Sequence, residues 1–222
     1  MSATVDYLVK QAAIILNAST GTGAGDASTI GAIDDPKKFP YAFLSNAAND
    51  ADAEVCMLLG QSDDNPLQQS LVASTGALAD NSTIVPSGGG IVYRVLNVQV
   101  DSVDARRKPV TYLKRLASDP LSRTSIGKYY DIQGGRIIRH NGTSAVCKVI
   151  RFLKGVSPQA PDELTNATIA CLLSMVTPKM DTWISMASYF AQQWAMRQQM
   201  IRAGEVQIPP VIAYQMIDQQ VA

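Results

Sequence analysis

The chain has 222 residues, 46% of them hydrophobic and 17% charged, enough for one large or two small domains with a sizeable core. Its 19 basic residues balance its 19 acidic ones, so no global field draws nucleic acid or an anionic membrane to it. Zero net charge and a low charged fraction also disfavour a free, fully solvated monomer and favour a subunit of an assembly.

No segment approaches the roughly 20 uninterrupted apolar residues of a membrane span. The first residues, Met1 to Asp6, show no basic region followed by an apolar run, so neither a secretory signal nor a membrane partner is expected. Cys56, Cys147 and Cys171 lie far apart among apolar neighbours. They predict buried free thiols in a reducing compartment, not a disulfide framework. The acceptor-like triplets at Asn17, Asn81, Asn141 and Asn166 are then chance matches.

Thr4 caps a first helix, with Asp6 in its first turn and Val5, Leu8, Ala12 and Ile15 as its apolar face. A Gly-rich run, Gly21 to Asp26, follows. The dinucleotide fingerprint needs a preceding strand and a helix opening at its last glycine. Here a helix precedes and the spacing differs, so the run reads as a mobile loop. A Pro-punctuated connection (Pro36, Pro40) leads to a second helix, Ser45 to Leu59, ended by Gly60. Asp50, Asp52 and Glu54 crowd its early turns, where the dipole favours anions on a solvated face. No histidine or Ca²⁺-loop spacing makes them a metal cluster.

From Pro66 to Val103 the pattern turns β-branched, with breaks at Gly76 and Gly88–Gly90. Ile91–Val100 is the best strand. Strict alternation places Val92, Arg94, Leu96, Val98 and Val100 on one side of it. A short helix begins near Pro109, flanked by Arg106, Arg107, Lys108, Lys114 and Arg115, the one basic concentration. These five could contact phosphates, but a solvated helix face or a salt-bridged subunit contact is the favoured reading, and Asp119-Pro120 stops the helix. Tyr129–Ile132, Arg136–Arg139 and Ala145–Phe152 then read as a three-stranded meander, turned at Gly134-Gly135 and Asn141-Gly142. His140, the only histidine, reads as a turn residue.

Pro161–Gly204 reads as two helices joined at Thr177-Pro178. Leu164, Thr168, Cys171 and Met175 form the stripe of the first. Trp183, Ala187, Phe190, Trp194 and Ile201 form that of the second, interrupted by Arg197. Thr177 is the expected N-cap of the second helix and Gly204 its stop. Glu205–Ala222 remains as a stiff tail, too apolar for an idle terminus. Its Ile208, Pro209, Pro210, Val211, Ile212, Tyr214, Met216 and Ile217 are expected to dock onto a neighbouring subunit or another partner protein, with folding back on its own subunit as the alternative.

The fold class is therefore α+β. Residues 1–65 and 153–204 are expected as a helical bundle, built from N- and C-terminal helices. Residues 66–152 supply a central β insertion with its meander, and 205–222 an extended tail. One isolated histidine, no Cys/His metal spacing and no phosphate-binding Lys-Ser/Thr loop leave no catalytic constellation. Neither an enzyme, a metal nor a cofactor is expected.

Taken in order, a helix, a polar loop, the helix containing "DADAEVC", a strand region, "ARRKPVTYLKRLASDP", "YYDIQGGRIIRHNGTSAV" and a terminal helical pair resemble the head-to-tail adaptor (connector) proteins of tailed bacteriophages. The resemblance spans the first helix to Gly204. It implies a structural virion protein made in the host cytoplasm, forming a homo-oligomeric ring, usually of twelve subunits, beneath the portal protein. Such a ring lines the DNA exit channel, lies in non-specific proximity to double-stranded DNA, and meets downstream tail or nozzle proteins. A nucleic-acid-binding module using residues 106–115 is the alternative.

Overall fold

The computed structural model describes residues 4–16, 41–62, 65–118, 128–140, 142–153, 158–179 and 181–211. The Gly-rich run, the connection at Pro36 and Pro40, the stop at Asp119-Pro120 and the tail from Ile212 onward lie outside them, as does the side chain of Trp183. The fold is mixed α+β with two sheets. It divides into two compact units, Met1–Ser70 with Gly155–Ala222, and Leu71–Lys154.

In the first unit, helix α1 (Val5–Ile15) opens as its sequence predicts. The Thr4 hydroxyl accepts the Tyr7 N–H at 3.1 Å, and Leu8, Val9, Ala12 and Ala13 are buried. Helix α2 spans Tyr41–Gln61, opening four residues before Ser45. That shift overturns the dipole reading of its carboxylates, and burial overturns the solvated-face reading for Asp52, while Asp50 is exposed and Glu54 half-buried. Asp50, Asp52 and Glu54 sit beyond the first turn, where the terminal dipole has faded, and Asp52 is fully buried. Its carboxylate accepts the Gln159 N–H at 2.9 Å and the Ala160 N–H at 2.9 Å, tying the returning chain to the middle of α2.

Helix α4 (Thr165–Val176) is buried around its whole circumference, not along one stripe. It packs on α1, on α2 and on α5 (Ala187–Arg202), so every side meets another helix. Thr177 does not cap the second helix. It is the C-cap residue of α4, buried, and its hydroxyl donates back to the Leu173 carbonyl at 2.8 Å. Two 3₁₀ turns, Thr177–Lys179 and Asp181–Met186, intervene before α5. Helix α5 buries Phe190, Arg197 and Ile201 and leaves Trp194 half-buried. Within this first unit, two buried amides close the helix ends. Asn65 Nδ2 donates to the Ile201 carbonyl at 2.9 Å, and Gln68 Nε2 to the Leu59 carbonyl at 2.8 Å.

The second unit holds strands β1 (Val72–Ser74), β2 (Ser82–Thr83), β3 (Ile91–Val100), β4 (Val103–Asp104), β5 (Arg106–Arg107), β6 (Tyr129–Gln133), β7 (Arg136–His140) and β8 (Ala145–Phe152), with helix α3 (Val110–Ser118). They form two four-stranded sheets, ordered β1-β8-β3-β4 and β2-β7-β6-β5. Both sheets contribute to one core, Val98, Val100, Cys147 and Val149 from the first and Ile137 from the second.

The three-stranded meander is corrected here. β6 and β7 pair as an antiparallel hairpin, turned at Gly134 and Gly135 with positive φ, but β8 pairs with β3 and β1. The chain crosses between sheets at Gly142, whose φ of 128° and close approach to Val100 and Asp101 admit no side chain. The alternation in β3 is corrected as well. Register shifts at Tyr93 and Leu96 insert two bulges against β8. Val92, Val95, Val98 and Val100 consequently face the core, and Leu96 is exposed.

Candidate functional site

The expected contact surface of the tail begins where α5 ends. Gly204 takes φ 80°. Its N–H donates to the Ile201 carbonyl at 3.1 Å and the Glu205 N–H to the Met200 carbonyl at 3.0 Å, a Schellman ending that bears out the predicted stop. This turn sends the chain back along its own helices. Ile208 is buried, and its carbonyl accepts the Asn166 amide at 2.8 Å. Arg197, the apparent flaw in the α5 stripe, is the anchor. Its Nη2 donates to the carbonyls of Pro209 (2.9 Å) and Pro210 (2.8 Å), and its Nη1 to the Gln193 carbonyl (2.9 Å) and Oε1 (2.8 Å).

A guanidinium that is 1% exposed is thus surrounded by carbonyl and amide oxygens. Burial pulls its pKa down from the usual arginine value, with the Tyr189 hydroxyl opposing. It still carries its charge, since arginine does not deprotonate in proteins. Ile208 therefore belongs to the chain's own core, which corrects its reading as a partner contact. The side chains of Pro209 and Pro210 stay exposed and Val211 is half-buried. Ile212, Tyr214, Met216 and Ile217 lie outside the described residues.

The basic stretch is not gathered into one patch. Arg106 and Arg107 lie on β5, where successive side chains point to opposite faces. Arg107 Nε is 3.2 Å from Asp131 Oδ1. The other Asp131 oxygen accepts the Val110 N–H at 3.0 Å and so secures the first turn of α3 from a neighbouring strand. Burial pushes the Asp131 carboxyl up, but the Ile132 N–H, Arg107 and the Val110 N–H outweigh it and hold the carboxyl below its usual range. Lys108 Nζ lies 5.5 Å from the Tyr112 ring, which meets Tyr129 edge-on. Arg115 is exposed in the last turn of α3. Lys114, also exposed, lines a cleft with Arg139 and His140. His140 is not a turn residue but the last residue of β7, paired with Tyr129 and 6% exposed.

At the junction of the two sheets, Asp101 gathers the β7–β8 crossing. Its Oδ1 accepts the Thr143 N–H (2.9 Å), the Thr143 hydroxyl (2.9 Å) and the Ser144 N–H (3.0 Å), while Oδ2 meets Lys128 Nζ at 3.0 Å. The Ser144 and Thr143 N–H groups, then Lys128, hold its carboxyl far below the ordinary range. Asp101 and Ser102 both have positive φ, as a two-residue hairpin turn requires. An Asp-Ser pair closing the long apolar run of β3 was the sequence signal for this turn.

All three cysteines are free and buried. Burial raises each thiol pKa, that of Cys147 to about 11 with the Thr75 hydroxyl opposing, so none is a ready nucleophile at neutral pH. Among the described residues no three His, Cys, Asp or Glu side chains cluster as a metal site, and no helix is long and apolar enough to cross a membrane. No known protein-family model matches the chain, and no curated protein sequence matches it.

Proposed function

We propose that this chain is a head-to-tail adaptor of a tailed bacteriophage, a structural subunit whose ring sits beneath the portal and lines the DNA exit channel. In this reading helices from the two ends of the chain form a bundle, and the β-rich unit is an insertion between them in the sequence. The observation that carries the proposal is the packing of α4. A largely buried central helix touches α1 and α2 from one end of the chain and α5 from the other, while Leu71–Lys154 stands as a separate continuous unit. This matches the order of segments on which the resemblance rests. Exposed large apolar side chains at Tyr7, Ile14, Ile184 and Met196 suit a subunit whose helices gain further cover in an assembly. Passing DNA needs a polar lining without base-reading geometry.

Native mass measurement of the purified full chain, alone and mixed with its portal protein, tests the proposal. A closed ring or a portal-bound ring is expected, and a monomer under both conditions overturns it. In the alternative reading residues 106–115 bind nucleic acid, but Arg107 already faces Asp131 and Lys108 already faces Tyr112. Neutralising Arg106, Arg107 and Lys108 together should leave weak DNA binding by the subunit nearly unchanged. A fall of about three in the salt slope would put the nucleic-acid reading first.

A further inference from the structure

We infer that the α3 side of the β-rich unit is a docking surface for a second copy of this chain, met through that copy's helical unit and recognised by opposite charge. The inference rests on the ring reading and adds to it the two faces that meet. The zero net charge of the chain conceals a division. Leu71–Lys154 holds 13 of the 19 basic residues and 5 of the 19 acidic ones, a formal charge of +8. The rest of the chain, with 6 basic and 14 acidic residues, carries −8.

Side-chain pairing sharpens the difference. Every described carboxylate of Leu71–Lys154 is engaged within that unit. Asp101 meets Lys128 and Asp131 meets Arg107. Asp80 accepts the Arg139 N–H at 2.9 Å, and Asp104 accepts the side-chain amides of Asn97 (2.9 Å) and Gln99 (3.0 Å). Against these, Arg106, Lys114, Arg115, Arg136 and Lys148 are exposed, and their side chains make no ion pair or hydrogen bond to any described residue. All but Lys148 belong to the sheet β2-β7-β6-β5 or to α3, which packs on its strands β6 and β7. Tyr112, 39% exposed on the same helix, adds a ring of the kind that anchors protein interfaces. The helical unit offers the opposite sign. Asp50 is exposed on α2, with Glu54 half-buried one turn on. Asp52 holds Gln159 and Ala160, which brings the exposed Asp162 and Glu163, a few residues later, close to that helix.

A second copy is the occupant because the chain carries both charges in equal measure. Contact between two like units sets positive against positive or negative against negative, which disfavours a two-fold symmetric pair. Head-to-tail contact sets opposite charges together at every interface, and it is the kind that closes into rings. Duplex DNA fits less well. The free cations are dispersed over separate elements instead of aligned in a stripe, and beyond a Debye length of about 8 Å a neutral chain exerts little net pull on a polyanion.

Association of the full chain is followed by native mass measurement and sedimentation from low to high salt. It should weaken about tenfold or more as salt screens the exposed charges. Lys114→Glu with Arg115→Glu reverses one face, and Asp50→Lys with Glu163→Lys reverses the other. All four positions are exposed, and circular dichroism melts verify that both variants keep the fold. Each variant alone should associate at least about tenfold more weakly. Mixed in equal amounts, the two should recover the original affinity to within about threefold, since each then meets an opposite face at both of its contacts. Attraction between the two units of a single chain gives no such recovery. A ring that assembles alike at every salt and in both variants overturns these faces and leaves the ring reading standing. Absence of recovery on mixing overturns the head-to-tail pairing. Unchanged association with lost duplex DNA binding in the Lys114→Glu, Arg115→Glu variant overturns it in favour of a nucleic-acid surface. A chain that stays monomeric at every salt overturns this inference and the ring reading together.

Discussion

Asp52, Asp101 and Asp131 join segments that are distant in sequence, each by accepting backbone N–H groups. Asp101 and Asp131 both have carboxyl pKa values held below the ordinary range. A depressed folded-state pKa means stability that is present in full above the unfolded value, near pH 4, and is lost as pH falls through the folded one. The unfolding midpoint should therefore drop on the acid side of about pH 4, and Asp101→Asn should flatten that drop. Denaturant melts of both proteins at a series of acid pH values check this, and identical slopes would refute it. Gly142 makes the same junction possible from the backbone side. A Cβ there meets Val100 and Asp101 at a φ that L side chains rarely adopt. Gly142→Ala should cost about 3 kcal/mol in chemical denaturation, combining backbone strain with overpacking.

Helix α5 was read from its apolar period, and the period was right about Phe190 and Ile201. It misjudged Arg197, because a charged residue in a stripe looks like an interruption until its partners are known. Those partners, the carbonyls of Pro209 and Pro210, have no side-chain signature and lie beyond a reversal of the chain. Two prolines cannot donate but still present carbonyls, and a planar guanidinium fits two neighbouring oxygens. Arg197→Met keeps much of the volume and removes the donors. It should lower stability by about 2 kcal/mol and speed thermolysin cleavage around Val206 and Ile208. Unchanged cleavage would mean that Ile208 alone holds the segment. The short Asp181–Met186 turn also explains why the predicted N-cap failed. The Thr177 hydroxyl is occupied by the Leu173 carbonyl of the helix before it.

For the molecule as a whole, the consequence of two compact units is separable stability. Leu71–Lys154 is continuous and owns a core shared by both of its sheets. Expressed alone it should fold, with a β-type circular dichroism spectrum and one cooperative transition. The other unit needs both chain ends, because α1 and α2 lose the helix they pack on without α4, and α4 loses cover on one side without them. A fragment ending at Ser70 should therefore stay unfolded. A folded N-terminal fragment, or an unfolded 71–154 fragment, would show that the units depend on each other.

Much local chemistry was legible: the Thr4 cap, the Gly204 stop, the Gly134-Gly135 hairpin and the long β3 segment all follow from residue types at fixed spacing. So did the α+β class, since a change from helical to β-branched pattern needs no knowledge of contacts. Pairing was not legible. A strand's alternation says that it has two faces, not which neighbour it meets, so β8 could be assigned to the wrong sheet. Bulges escape for the same reason, because an extra residue in β3 exists only relative to β8. Asp52 looked like a surface anion because its exposure depends on where Gln159 and Ala160 return. Hydrogen-bond partners more than 100 positions apart leave no mark in local pattern. Burial and charge pairing belong to the packed chain, where desolvation makes each such contact necessary.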